Sequence, residues 1–130
     1  MLNRYQAGTG KVILGVMLLL STTVFAGAQS DRTRRVRFPR GRTTTVIKDA
    51  VVRGTVDRYI LGARKGQTLT VHITSVEDNA VFDVHRSGSK AKLAEESTDW
   101  TGVLPRTGDY VIEVGGTRGN ATYTLEVTIR

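Results

Sequence analysis

Three acids stand close together in "AEESTDW": Glu95, Glu96 and Asp99. Paired carboxylates are the working groups of glycoside hydrolysis, one donating a proton while the other attacks or activates water. Their setting favours less. They follow Lys90 and Lys92 in a segment that reads as a loop, and such a charge run is ordinarily a solvated surface. The two histidines are no better placed. His72 falls on the polar face of one strand pattern and His85 at the end of another, and neither has a partner at metal-ligand spacing. No G-x-S-x-G elbow presents a serine. The chain has no cysteine, which removes thiol nucleophiles and thiolate metal sites. "GGTRGN" (115–120) is rich in glycine but joins two strand patterns, so no helix N-terminus follows it to receive a phosphate. "NAT" at 120–122 matches a glycosylation acceptor, a short match that carries little weight alone. The expectation is a non-enzyme with no cofactor and no metal.

What remains is surface. The segment "DRTRRVRFPRGR" carries Arg32, Arg34, Arg35, Arg37, Arg40 and Arg42. One reading is an arm for a polyanion, such as anionic lipid or cell-wall polymer; the other is a solvated N-terminal segment. Only Phe38 interrupts the run as a stacking residue, so a nucleic-acid partner is not expected. Two glycine-bearing loops could serve recognition. "PRTGDY" places Arg106, Thr107, Gly108, Asp109 and Tyr110 together, and "GGTRGNA" adds Arg118. Thr107-Gly108 can be a tight turn and nothing more, and Tyr110 shares a face with Ile112 and Val114 as a core residue would. A tyrosine at a strand start can also bury its ring while its hydroxyl reaches the rim. The strand between the two loops spans roughly 17 Å, so Arg118 reaches Thr107 only if its loop folds back or a partner covers both.

The elements that position these loops follow period two. "TLTVHITS" sets Leu69, Val71 and Ile73 on one face, "YVIEV" sets Tyr110, Ile112 and Val114, and "YTLEVTI" sets Tyr123, Leu125, Val127 and Ile129. Alternation of this kind describes half-buried antiparallel strands. Strands are expected near 36–38, 44–52, 58–61, 68–75, 80–85, 100–104, 110–114 and 122–129. Glycine-centred turns separate them. Two hairpins are expected, 58–61 with 68–75 and 110–114 with 122–129. "SKAKLAEES" (89–97) has one helical turn as an alternative to a loop. The fold class is all-β: an antiparallel two-sheet sandwich, jelly-roll-like, of about eight short strands.

The chain has 130 residues and a formal charge of +7, which suits one domain. Residues 1–28 stand apart from it. Arg4 and Lys11 precede the apolar run Val12–Ala26, and Ala26-Gly27-Ala28 is a small-x-small cleavage signal. This is the layout of a secretory signal peptide; the alternative, a membrane anchor, needs a longer apolar run without Ser-Thr-Thr. The expected organisation is a signal peptide at 1–28, a basic segment at 29–42 and a β-sandwich at 43–130. After cleavage the product has no membrane-inserted segment. An exported domain without disulfides suits a bacterial envelope protein, periplasmic or secreted.

The order "G-x-x-D-x-Y" (Gly54, Asp57, Tyr59), "ARKGQTLTVHI" (63–73), "G-x-L-P-x-T-G-D-Y-x-I-E-V" (with Gly102 for its first residue) and a closing "YTLEVTI" resembles the periplasmic inhibitors of goose-type lysozyme. More loosely it resembles the pre-peptidase C-terminal β-sandwich domains of secreted bacterial peptidases. The resemblance runs from about Arg35 to Arg130. It implies a protein partner, a goose-type lysozyme, blocked at its glycan-binding cleft by surface loops. The family's S-G-x-Y loop corresponds to Thr107, Gly108 and Tyr110, with Thr in place of Ser, and a family arginine in the next loop corresponds to Arg118. A second arginine of that loop has no counterpart, and the loop is shorter.

Overall fold

The computed structural model describes residues 30–130; the expected signal peptide lies outside them. Nine strands form two facing sheets. The strands are β1 (Arg32–Arg35), β2 (Thr44–Val51), β3 (Asp57–Ala63), β4 (Thr68–Ser75), β5 (Ala80–Arg86), β6 (Lys92–Ser97), β7 (Asp99–Val103), β8 (Gly108–Gly116) and β9 (Ala121–Ile129). One sheet has the order β1-β3-β8-β5-β6 and the other β2-β9-β4-β7. The all-β sandwich expected from the alternation is the fold.

The period-two faces meet between the sheets. Leu69, Val71 and Ile73 of β4 and Tyr123, Leu125 and Val127 of β9 are buried against Phe82 and Val84 of β5 and Tyr110, Ile112 and Val114 of β8. Thr, Glu and His take the alternate positions and face outward. Trp100 lies across Gly102, and a Cβ added there would meet the indole ring, so a side chain at that position of β7 would require the ring to move.

Four expectations need correction. The residues at 58–61 and 68–75 do not form a hairpin, nor do those at 110–114 and 122–129: β3 and β8 lie in one sheet, β4 and β9 in the other. The intervening glycine-bearing segments are corners that carry the chain across the sandwich. Alternation says which face a residue takes, not which neighbour its backbone bonds. The segment 89–97 is neither loop nor helical turn, since residues 92–97 form β6. Its pairing with β5 shifts register between Phe82 and His85, and Glu96 has a φ of 44°. Such a bulged edge strand buries little beyond Ala94, so it carries no alternating pattern. The first strand is Arg32–Arg35 rather than 36–38, and it runs parallel to β3, so the sandwich is not wholly antiparallel. Val36 follows it into the core, its N–H donating to the Ile60 carbonyl at 2.8 Å.

A closed ring of hydrogen bonds fixes β1. Arg32 donates from Nε and Nη2 to the buried carboxylate of Asp57, at 2.9 and 2.7 Å. Tyr123 donates its hydroxyl to Asp57 at 2.7 Å, and so accepts from the hydroxyl of Tyr59. Tyr59 in turn accepts from Arg34 at 2.8 Å. Arg34 and Arg32 both reach Asp49 of β2, at 2.6 and 3.2 Å, which closes the ring. The Arg34 guanidinium also lies 5.2 Å from the centroid of the Tyr59 ring. Burial, with the neighbouring Tyr59 and Asp57, pushes the Tyr123 hydroxyl far above its ordinary range, so the ring holds that proton firmly.

Asp57→Ala leaves both the Arg32 fork and the Tyr123 hydroxyl without their shared acceptor. It should lower unfolding free energy by about 2–3 kcal/mol in urea titration. A change under about 0.5 kcal/mol, the size of an ordinary surface substitution, would remove the ring as a structural constraint. Stability should also depend on pH at both extremes. At Asp49 burial opposes ionisation, but the Ala50 N–H and the Arg34 and Arg32 guanidiniums outweigh it and hold the carboxyl below its usual range. Asp31 is lowered by the Val56 N–H and Arg58, and Glu77 by the Thr122 N–H. Lowered carboxyls stabilise the fold above their unfolded pKa values and cease to as pH falls through the folded ones. Melting temperature should therefore fall below about pH 4. Tyr59 and Tyr123, both raised chiefly by burial, act in the other sense, and stability should be lost as pH rises above about 10.

Candidate recognition loops

The strands alternate direction, so the connections alternate ends. Segments 36–43, 64–67, 87–91 and 104–107 lie at one end of the sandwich; 52–56, 76–79 and 117–120 lie at the other. Thr107 and Gly108 therefore sit at the first end and Arg118 at the second. The nine residues of β8 between them extend about 26 Å at the usual rise per residue.

The Thr107 turn is braced from three directions. Tyr110 is wholly buried, and its hydroxyl donates to the Arg106 carbonyl at 2.6 Å while accepting the Arg106 N–H at 3.2 Å. This is the arrangement of a tyrosine corner, with the phenol tied to backbone four residues upstream. The ring is core and the hydroxyl is consumed within the turn, so the phenol is not presented at the surface. The neighbouring corner is bonded to the same turn. Lys65 donates its N–H to Thr107 Oγ1 at 2.9 Å, Gly66 donates to the Leu104 carbonyl at 2.9 Å, and Leu104 donates to the Gln67 carbonyl at 2.8 Å. Arg35 of β1 pairs with Asp109 at 3.0 Å, and this ion pair holds the Asp109 carboxyl below its ordinary range. Gly108 has a φ of 148°, which side-chain-bearing residues rarely adopt. Thr107 is exposed, and since its oxygen accepts from Lys65, its O–H remains available to donate outward.

Arg118 belongs to a separate ordered loop. Buried Asn79 donates its amide to the carbonyls of Arg118 and Asn120, at 2.9 and 3.0 Å, and Thr117 donates its N–H to the Asn79 carbonyl at 2.8 Å. The Arg118 guanidinium is exposed and makes only a long contact, 3.4 Å, with the Asp78 carbonyl.

The other candidate chemistry separates. Asp99 pairs with His72 on the outer face of the β4–β7 ladder, while the Glu96 backbone bonds Asp83 on the opposite sheet. Among the described residues no three His, Cys, Asp or Glu side chains are grouped as a metal site. Half of the basic segment is taken up in ion pairs, those of Arg32, Arg34 and Arg35. That Lys65 and Arg35 brace this turn, Arg35 through Asp109, was not expected. A signal existed only for Tyr110, whose position four residues after Arg106 is the spacing of a tyrosine corner.

No family model matches the sequence, and no curated protein matches it. Solved structures do match the fold. The periplasmic inhibitor of g-type lysozyme (PliG) of Aeromonas hydrophila superposes with a TM-score of 0.71 at 27% identity, over 78% of this chain and 98% of that one. The PliG of Salmonella Typhimurium gives 0.62 at 21%, over 76% and 98%. The pre-peptidase C-terminal domain of a Bacillus anthracis collagenase gives 0.55 at 14%, over 77% and 96%, a likeness of fold alone. Both resemblances expected from the motifs are thus found in three dimensions, and the chain is similar, across nearly the whole length of those proteins, to the periplasmic inhibitors of g-type lysozyme, which are not enzymes.

Proposed function

We propose that the chain is an exported inhibitor of goose-type lysozyme that acts in the periplasm or outside the cell. The likeness to the Aeromonas inhibitor over 98% of its length carries this reading. The braced turn at Thr107 supplies a mechanism.

Lysozymes cleave between carboxyl groups in a cleft. A turn entering that cleft must present a donor to a carboxylate and must not lose much freedom on binding. Thr107 is exposed and its O–H is available to donate, and the turn around it is already held by Lys65, Tyr110 and the Arg35–Asp109 pair. Rigidity of this kind reduces the entropy lost on association. In this reading Thr107 and Gly108 touch the enzyme and Tyr110 positions them from beneath. Arg118 contributes through a bidentate pair with an acid only if the enzyme also reaches the far end of β8.

The test is clearance of cell walls by a goose-type enzyme, with chicken- and invertebrate-type enzymes in parallel. Stoichiometric protein should stop lysis by the goose-type enzyme alone; unchanged lysis across several such enzymes would reject the reading. Thr107→Ala should weaken inhibition by about 2 kcal/mol, some 30-fold, if Thr107 is a central contact. Tyr110→Phe should weaken it as well, and should also lower thermal stability, because the Arg106 backbone loses its partner. Arg118→Ala separates a contact confined to the Thr107 end, which it leaves intact, from one that spans the sandwich.

A further inference from the structure

The two ends of the sandwich differ sharply in charge. At the Thr107 end, segment 36–43 contributes Arg37, Arg40 and Arg42, and segment 64–67 contributes Arg64 and Lys65. Lys90 comes from 87–91 and Arg106 from 104–107. These four connections contain no Asp or Glu. All seven cations are exposed, and none is in an ion pair among the described residues. Asp109, the nearest acid on β8, is already paired with Arg35. At the other end Arg53 and Arg118 are balanced by Glu77 and Asp78.

We propose that this end docks peripherally on the surface of a bilayer bearing anionic phospholipid headgroups. The arrangement decides among polyanions. Seven cations from four separate connections tile an end face, whereas a single linear polymer would touch one strip of it. A planar field of phosphates can engage all of them together, and each Lys or Arg near an anionic leaflet adds about fivefold to partitioning. Aromatic residues that would stack on bases are missing from these connections apart from Phe38, which is packed against the core. The fold places no apolar helix here to insert; the contact is electrostatic and reversible. It occupies the end that carries Thr107, so membrane docking and capture of a protein at that turn compete for one face.

The experiment is co-sedimentation of the chain starting at Gln29, which contains both sheets and the core between them, with phosphatidylglycerol/phosphatidylcholine vesicles. Binding should be clear at about 50 mM salt, be largely screened by about 300 mM, and be absent with phosphatidylcholine alone. Arg40→Glu with Lys65→Glu should reduce partitioning at least about 25-fold. Lys48→Glu with Arg53→Glu, the same charge change away from this end, should reduce it far less; circular dichroism and melting check that both variants fold. Equal loss in the two variants would leave net charge rather than this face as the cause and overturn the proposal. So would salt-independent binding to neutral vesicles, absence of binding at low salt, or tighter binding to soluble heparin or polyphosphate than to vesicles.

Discussion

Asp57 is a carboxylate buried near the open side of a sandwich, and the rest of the edge is arranged around it. Arg32 and Tyr123 satisfy it, Tyr59 and Arg34 extend the chain of donors, and Asp49 returns it to Arg32. Each hydroxyl in the ring has one proton and one direction in which to give it, so the polar groups have a single consistent arrangement. A buried ionic group of this kind rarely adds stability over an apolar alternative, yet losing one member is costly because the others stay behind unpaired. What it supplies here is register. All four residues of β1 are exposed, so burial gives the strand no reason to dock at a particular position. The ring gives it one, and at the same time ties the edge of one sheet to the edge of the other.

That constraint reaches the recognition end. Once Arg32 and Arg34 are committed to the ring, Arg35, on the opposite face of the strand, lies over Asp109 and braces the Thr107 turn. Val36 then enters the core, and the remaining arginines, Arg37, Arg40 and Arg42, are carried into the connection at the same end. A basic run that looks uniform in sequence is thus divided in two. One half is a structural clasp, and the other is free charge gathered with cations from three other connections.

Much of this fold was legible in the chain. The buried positions of β4, β8 and β9 follow from alternation because a strand with one wet face must place its apolar residues at every second position. The all-β class, the glycine turns and the resemblance in "LPRTGDY" rest on similarly local grounds. β6 was not legible, since a bulged edge strand with one buried alanine imposes no pattern on its residues. The supposed hairpins failed for a different reason: a corner between sheets and a hairpin within one can share length and glycine content, and differ only in where the backbone finds its hydrogen-bond partners.

For the site, the sequence by itself determined which groups are available: a hydroxyl at Thr107, a permissive backbone at Gly108, a phenol at Tyr110 and an arginine at 118. Tertiary structure alone decided how they are used. It buried the phenol and bound its hydroxyl to Arg106, left the threonine exposed with its O–H free to donate, and set Arg118 at the far end of β8. The physical reason is that residue type fixes what a side chain can donate or accept, whereas burial and pairing depend on strands distant in sequence. Lys65 meets Thr107, and Arg35 meets Asp109, only when two sheets close over a common core.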